Sequence, residues 1–293
     1  MKIILISLLI FALLGCASIH EKPHDASKVE PFEFNIPPRV NSDRGASSII
    51  DSIRTLDLVQ REKVLFKEVE AGNIPGFLIK PVDVTFTQSI EGIPYRITLF
   101  VMSDYFTLGT DDDYFLIPMT PMLAQKVMDR LDATLPTRRI VNLIWEAAKI
   151  KMTPTPIPPS EAMVTVDVFQ DHQRLVSDQR HSQFSANSME TLVSGHKKDV
   201  ILANGLSEQS HRVFIYGWHY PQGNAIQPLY SGHAIWYVDY SHGIRVVLDR
   251  CLVNDVEMRI TDILKDPVLF QLLSDEAGAM EVTRYDTSSS YYP

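Results

Sequence analysis

The chain has 293 residues, of which 45% are hydrophobic and 22% charged, and these proportions are ordinary for a folded globular protein. Its formal net charge of −9 at pH 7 argues against a nucleic-acid partner, because a phosphate backbone requires a basic protein face. Beyond the first residues, no apolar run approaches the roughly eighteen residues that a membrane-spanning helix needs.

Residues 1–16 have the pattern of a bacterial secretory signal. Lys2 supplies a positive charge, residues 3–14 are almost entirely apolar, and Gly15 and Cys16 follow directly. An apolar core of this length is too short to cross a bilayer and is typical of a signal peptide. The sequence therefore predicts a signal peptide over residues 1–15.

The end of this signal, Leu13-Leu14-Gly15-Cys16, closely resembles the lipobox of bacterial lipoproteins. The resemblance implies that the chain is cleaved before Cys16, and that this residue carries palmitate-type acyl chains inserted in the lipid bilayer. Two or more buried chains hold a protein durably at a membrane. Ala17, rather than an aspartate, follows the cysteine, and this favours the outer membrane of the cell envelope. The alternatives are an ordinary secretory peptide with an incidental cysteine, or a buried N-terminal strand.

The remaining chain is predicted to form a tether, a globular domain and a tail. Residues 16–45 are polar, proline-containing and without periodicity, which predicts a flexible lipidated tether. A globular domain is predicted over residues 46–285 and a loose tail over residues 286–293. Four prolines make residues 151–160 a stiff extended crossing, which either separates two lobes or lies as a strap across one domain.

Helical spacing of apolar residues predicts helices on both sides of the first strands. One or two short helices are expected over residues 47–70, and Thr120 followed by Pro121 opens another. The remaining helices are expected over residues 137–150, partly over 160–183 with 171–180 exposed, and over 261–273.

Alternating apolar and polar residues predict a chain that is otherwise mostly β. Residues 82–86 and 95–102 form a hairpin pattern, and residues 105–117 suggest another strand pair. After Leu192, strands are expected over residues 199–203, 212–218, 226–230, 234–240 and 244–248. The predicted fold class is α+β, with a predominantly antiparallel sheet and flanking helices.

Chemistry-bearing residues concentrate in the C-terminal half. Five of the nine histidines lie between His196 and His242, among aspartates and aromatic residues. Histidine can carry a proton or bind a metal near neutral pH, and aspartate can orient it or share the metal. The residues predicted to supply acid–base or metal-binding groups are His219, His233, His242, Asp199 and Asp239. The other reading is that these are structural residues of an aromatic-rich sheet, and His20, His24, His172, His181 and His211 are expected to face solvent.

Spacing limits how these groups combine. On an extended strand, His233 and Asp239 would lie about 20 Å apart, so they meet only if that strand bends. A divalent metal is a candidate cofactor, although the sequence has no His-Glu-x-x-His helix, Cys-x-x-Cys pair or EF-hand loop. Three consecutive carboxylates in residues 111–113 are either calcium ligands or an exposed acidic turn.

Several stretches look like a set of secreted bacterial proteins of unassigned function. The stretches that carry this resemblance are Lys197–Val200, Tyr216–His219, Gln227–Tyr230 and Tyr237–Gly243, with 108–113 and 135–138. The resemblance covers most of the mature chain and implies no activity.

We therefore expect a membrane-anchored lipoprotein with a hydrolase site acting on envelope or extracellular material such as peptidoglycan. The alternative is a non-catalytic envelope lipoprotein that binds glycan or protein or serves a structural role, with Trp218, Trp236 and Tyr240 as contact or core residues. A hydrolase predicts that at least three of the polar groups converge around a pocket. A binding protein predicts an exposed aromatic patch and scattered histidines.

Overall fold

Helices pack against mostly antiparallel sheets, and this confirms the α+β class predicted from the sequence. The computed structural model describes residues 31–41, 44–183, 189–288 and 290. The predicted signal peptide, Cys16 and the tether up to residue 30 lie outside these residues. Within the described ranges, no helix is both long and apolar enough to cross a membrane.

Six α-helices are present in the described residues. They are α1 (Ala46–Ile53), α2 (Leu58–Glu70), α3 (Pro121–Leu131), α4 (Arg138–Ala147), α5 (Val166–Gln183) and α6 (Ile260–Lys265). Thr120 caps α3 by accepting a hydrogen bond from the Leu123 N–H at 3.3 Å, as its position before a proline predicts. The helix predicted over residues 261–273 is interrupted at Pro267, which lacks the N–H that an α-helix uses, and continues as a 3₁₀ turn over Leu269–Leu272.

The strands form two larger sheets and two strand pairs. They are β1 (Val82–Ile90), β2 (Ile93–Val101), β3 (Thr107–Gly109), β4 (Tyr114–Leu116), β5 (Ala133–Thr134), β6 (Ile150–Lys151), β7 (Val193–Ser194), β8 (Lys198–Val200), β9 (Ile215–His219), β10 (Ala225–Tyr230), β11 (His242–Gly243), β12 (Val247–Leu248), β13 (Arg250–Val253) and β14 (Val256–Arg259). The first sheet has six strands in the order β14-β13-β2-β12-β5, with β1 also on β2. The second has four in the order β10-β9-β8-β11, in which only β8 and β11 run parallel.

The strand predicted over residues 234–240 does not form. The Tyr237 N–H turns back to the carbonyl of Ala234 at 2.9 Å, and the Asp239 carboxylate accepts the Ser241 N–H at 2.7 Å. These local hydrogen bonds replace a strand ladder, as short polar side chains often do. The segment between β10 and β11 is therefore a series of turns.

Two proline-containing segments lie against the folded body. Phe32–Pro293 cluster as one unit, which begins inside the predicted tether. Phe34 is buried, and the Arg39 guanidinium donates to the carbonyl of Gly109 at 2.6 Å. In the crossing over residues 151–160, the Ile157 N–H donates to the Tyr240 hydroxyl at 2.7 Å, and that hydroxyl donates to the Ile157 carbonyl at 3.2 Å.

The acidic turn over residues 111–113 caps helices. The Asp113 carboxylate accepts the N–H and the hydroxyl of Ser47, each at 3.0 Å, at the start of α1. Asp111 accepts the Phe77 N–H at 3.2 Å. Because backbone donors occupy these oxygens, the structure favours the acidic-turn reading over a calcium loop.

Candidate functional site

Of the five residues predicted to carry chemistry, three lie in the four-stranded sheet and two in the turns that connect its strands. Asp199 lies in β8, His219 in β9 and His242 in β11, whereas His233 and Asp239 lie in the turns between β10 and β11. Lys198 pairs with Gly217 on one side and with His242 on the other. The five residues nevertheless separate into two groups, one around Tyr237 and one around Gly217.

The first group is Asp239, His242 and His233, and it surrounds Tyr237. The Tyr237 ring stacks on His233 with ring centroids 4.0 Å apart and meets His242 edge-on at 5.9 Å. Its hydroxyl donates to Asp239 Oδ2 at 3.3 Å. The bend that the sequence required between His233 and Asp239 is thus provided by the turns.

Asp239 is ionised at neutral pH although it is buried. Burial alone would raise the pKa of Asp239. The opposing causes are His242, which is charged at the acid pH where Asp239 titrates, the Lys198 charge and the hydrogen bonds from Ser241, and together they lower that pKa. Ser241 donates its N–H at 2.7 Å and its hydroxyl at 2.5 Å to Oδ1. The Asp239 carboxylate therefore accepts three hydrogen bonds: two from Ser241 and one from the Tyr237 hydroxyl.

His242 is a neutral imidazole beside that carboxylate. The side chain is fully buried, and burial lowers the pKa of His242 to about 4, against the opposing attraction of Asp239. Neither ring nitrogen has a hydrogen-bond partner among the described residues. An imidazole in this state can accept a proton, and the Asp239 charge would stabilise the imidazolium that forms.

The second group is Asp199 and His219, which face each other across Gly217. A β-carbon on Gly217 would lie 3.3 Å from Asp199 Oδ2 and 3.4 Å from His219 Nδ1, so the missing side chain leaves the space between them. His219 Nε2 lies 3.1 Å from Asn142 Oδ1, which also accepts the Tyr216 hydroxyl at 2.9 Å. With Nε2 as the donor, Nδ1 is the basic nitrogen of His219.

The pKa values of Asp199 and His219 are shifted in opposite directions. Burial raises the pKa of Asp199 to about 7, although Arg245 and the Tyr105 hydroxyl oppose the shift. Burial also lowers the pKa of His219 to about 4. Around neutral pH the pair thus contains a partly protonated acid beside a neutral base, a combination found at acid–base sites.

Backbone strain lies within β9 at the same place. Trp218, which precedes His219, has a φ of +59°, in the left-handed region that bulky residues rarely adopt. Its ring is buried and lies 5.1 Å from the Lys198 ammonium group. Strained positions of this kind occur preferentially at functional sites.

A cleft of about 320 Å³ opens beside the first group. Trp236, Tyr237 and Val238 form one of its walls, and Arg54, Arg61 and Val164 also line it. Tyr237 both lines the cleft and hydrogen-bonds Asp239, so it connects the cleft to the buried carboxylate. The volume is at the lower end of small-molecule sites, which span roughly 300–1,000 Å³.

The sequence analysis missed a buried ionic cluster behind this sheet. Asp104 pairs with Arg180 of α5, and its Oδ1 lies 3.0 Å from His196 Nε2, although that ring nitrogen is not aligned for a hydrogen bond. His172 was expected at the surface but is fully buried, with Nδ1 3.1 Å from the Lys197 ammonium group.

Helical spacing within α5 was the signal that could have located these residues. The buried side chains of this helix are Val166, Phe169, His172, Gln173, Val176 and Arg180. They recur at intervals of three and four residues and therefore share one face. The expectation that residues 171–180 are exposed is wrong for that face.

The described residues do not provide a set of ligands for the divalent metal considered from the sequence. No three or more His, Cys, Asp or Glu side chains in them are grouped so as to hold a metal ion. In comparisons with known proteins, the chain matches no family, no curated protein and no solved structure.

Proposed function

We propose that the mature chain is a membrane-anchored bacterial lipoprotein that hydrolyses envelope or extracellular material such as peptidoglycan. The observation that carries this proposal is the convergence of Asp239, His242 and His233 around Tyr237, which also lines the cleft. Of these four side chains Tyr237 lines the cleft, and the other three adjoin Tyr237 without lining the cleft themselves. Titratable groups of shifted pKa next to a pocket are a common feature of active sites.

The chemistry we propose is general-base activation of water. His242 accepts a proton from a water molecule as it attacks the substrate, and the ionised Asp239 stabilises the resulting imidazolium. Tyr237 donates its hydroxyl to Asp239 and presents its ring to the cleft, so it positions the pair relative to the substrate. Ser241 gives its hydroxyl to Asp239, which favours water over a serine as the nucleophile.

Exposed aromatic surface favours a second candidate, a non-catalytic binding protein. Trp236 is 41% exposed beside the cleft, as a contact residue would be, whereas Trp218 and Tyr240 are buried. In addition, no side-chain hydrogen bond directly joins two of the five predicted residues within the described part of the chain. Both candidate functions use the same cleft, but only the hydrolase would convert its ligand into product.

Replacement of His242 by glutamine tests turnover. We expect His242→Gln to lower the release of soluble fragments from purified peptidoglycan by at least about 100-fold, since a general base typically contributes 10²–10⁴-fold. Activity of the unmodified protein should persist to about pH 5, because the His242 pKa is about 4 and the imidazole stays neutral above it. The matched control is His211→Gln, at an exposed histidine. Equal rates for His242→Gln and the unmodified protein would rule out this mechanism.

Replacement of Cys16 by serine tests the anchor. We expect Cys16→Ser to move the protein from the membrane fraction to the soluble fraction, because serine cannot carry the thioether-linked acyl chains. Mass spectrometry of the N-terminus should show loss of the acyl mass. The control is Cys251→Ser, since Cys251 is buried in β13 and burial raises the pKa of its thiol to about 12. A Cys16→Ser protein that stays fully membrane-bound would contradict the anchor.

A further inference from the structure

The charges lining the cleft are all of one sign. Arg54 and Arg61 line it, and none of the described lining residues is acidic, although Asp51, Asp167 and Glu62 lie next to the two arginines. This is unusual in a chain whose net charge is −9. A positive, partly apolar recess on an acidic protein favours an anionic ligand over a neutral or cationic one.

The two arginines differ in how far their charges are already paired. Arg54 forms ion pairs with Asp167 and Asp51, and donates to Gln170 Oε1 at 3.2 Å. Its charge is therefore largely satisfied within the protein, and the ion pairs lie at an exposed surface where they contribute little.

Arg61 is nearly buried, at 6% exposure, and is poorly satisfied. Nη1 donates to the carbonyl of Val164 at 3.3 Å, and Nε has no hydrogen-bond partner among the described residues. The neighbouring Glu62 directs its two carboxylate oxygens to the N–H and hydroxyl of Thr120, at 2.7 and 2.8 Å. The charge of Glu62 still favours the charged form of Arg61, and the guanidinium carbon lies 5.2 Å from the centre of the Phe169 ring. Nε nevertheless stays without an acceptor in the described part of the chain, and a ligand carboxylate in the cleft would supply one.

The cleft is also lined by aromatic side chains. The indole of Trp236 is partly exposed, and the Tyr237 ring continues the same wall. Aromatic rings of this kind pack against the apolar face of a sugar while hydroxyl groups remain at the edge. The cleft thus combines a partly exposed aromatic surface with a buried guanidinium whose Nε has no acceptor among the described residues.

We propose that the cleft binds a saccharide unit carrying a carboxylate, with the sugar face on Trp236 and the carboxylate on Arg61. This inference deepens the proposed function by naming the substrate class, and it rests on that function only for the location of the site. Because an arginine–carboxylate pair is charge-assisted and often bidentate, it should dominate selection between charged and neutral sugars.

Binding without turnover tests this inference on the unmodified protein. The probes are N-acetylmuramic acid and N-acetylglucosamine, which differ in the lactyl group that carries the carboxylate. We expect the acid to bind at least about tenfold more tightly by ligand-observed NMR, and this preference to weaken with added salt. Equal binding of the two sugars, or binding of neither, would overturn the proposal.

Variants assign the preference to particular side chains. Arg61→Gln should abolish the preference and Arg61→Lys should keep part of it, whereas Arg54→Gln should change it little because Arg54 is already paired. Trp236→Ala should weaken the binding of both sugars. Circular dichroism establishes that each variant is folded. A retained preference in folded Arg61→Gln would contradict the role of Arg61.

The outcomes also separate this inference from the proposed hydrolase. If His242→Gln hydrolyses peptidoglycan normally and N-acetylmuramic acid still binds more tightly than N-acetylglucosamine, the role of His242 is wrong and the proposed ligand class is supported. If His242→Gln loses activity but the two sugars bind equally, the mechanism stands and the ligand class fails.

Discussion

Replacement of Asp104 by alanine should lower the free energy of unfolding by about 3–5 kcal/mol, because it leaves the guanidinium of Arg180 buried without its counter-charge. The two side chains are 1% and 5% exposed, and Asp104 also contacts His196. Burial alone would raise the pKa of Asp104, but His196 and Arg180 lower it well below its usual value. The measurement is urea unfolding at pH 7.

The control for this prediction is an exposed ion pair of the same helix. Asp171 and Arg174 are 2.7 Å apart with side chains at least 60% exposed, so Asp171→Ala should cost about 0.5 kcal/mol or less. A loss below about 1 kcal/mol in Asp104→Ala would show that the buried cluster does not hold α5 to the sheet.

The second large effect is a pH-dependent one at Asp199. Its folded pKa of about 7 exceeds the value of about 3.9 in an unfolded chain, so between these values the folded state binds more protons. Stability contributed by Asp199 is therefore lost as the pH rises from about 4 to 7. Relative to Asp199→Asn, which cannot ionise, the unmodified protein should lose about 4 kcal/mol over this range.

Unfolding free energies of both proteins at several pH values measure this difference. Asp239→Asn provides a comparison of opposite sign, since the Asp239 pKa is lowered in the folded state. Relative to that variant, the unmodified protein should gain stability as the pH rises through about 4. If the difference between the unmodified protein and Asp199→Asn is independent of pH, Asp199 is not the protonated group described above.

Local patterns predicted much of the fold. The β1–β2 hairpin and the start of α3 depend on alternation, turn residues and capping within a few neighbouring residues, and they form as expected. Residues 234–240 also alternate, yet Asp239 bonds its own backbone neighbours and prevents a strand.

Residue type led us to propose Asp239 and His242 as site residues, and that assignment stays a prediction. Their spatial arrangement could not be predicted from the sequence. The register of β8 and β11 pairs His242 with Lys198 and not with Asp199, so the side chains of His242 and Asp199 point to opposite faces of the sheet, and no local pattern encodes that register. Arg180 was missed because its helix was judged by overall polarity rather than by the residues that share its inner face.

The register of β8 and β11 has a consequence for when the site is built. Only two residue pairs join these strands, His242 with Lys198 and Gly243 with Asp199, across more than forty positions of chain. Closing so long a loop costs conformational entropy, and the few hydrogen bonds between two short strands offset little of it. We therefore expect Lys198 to reach His242 late, once the intervening segments have folded, whereas the side chains around Tyr237 come from residues 233–242 and can meet locally.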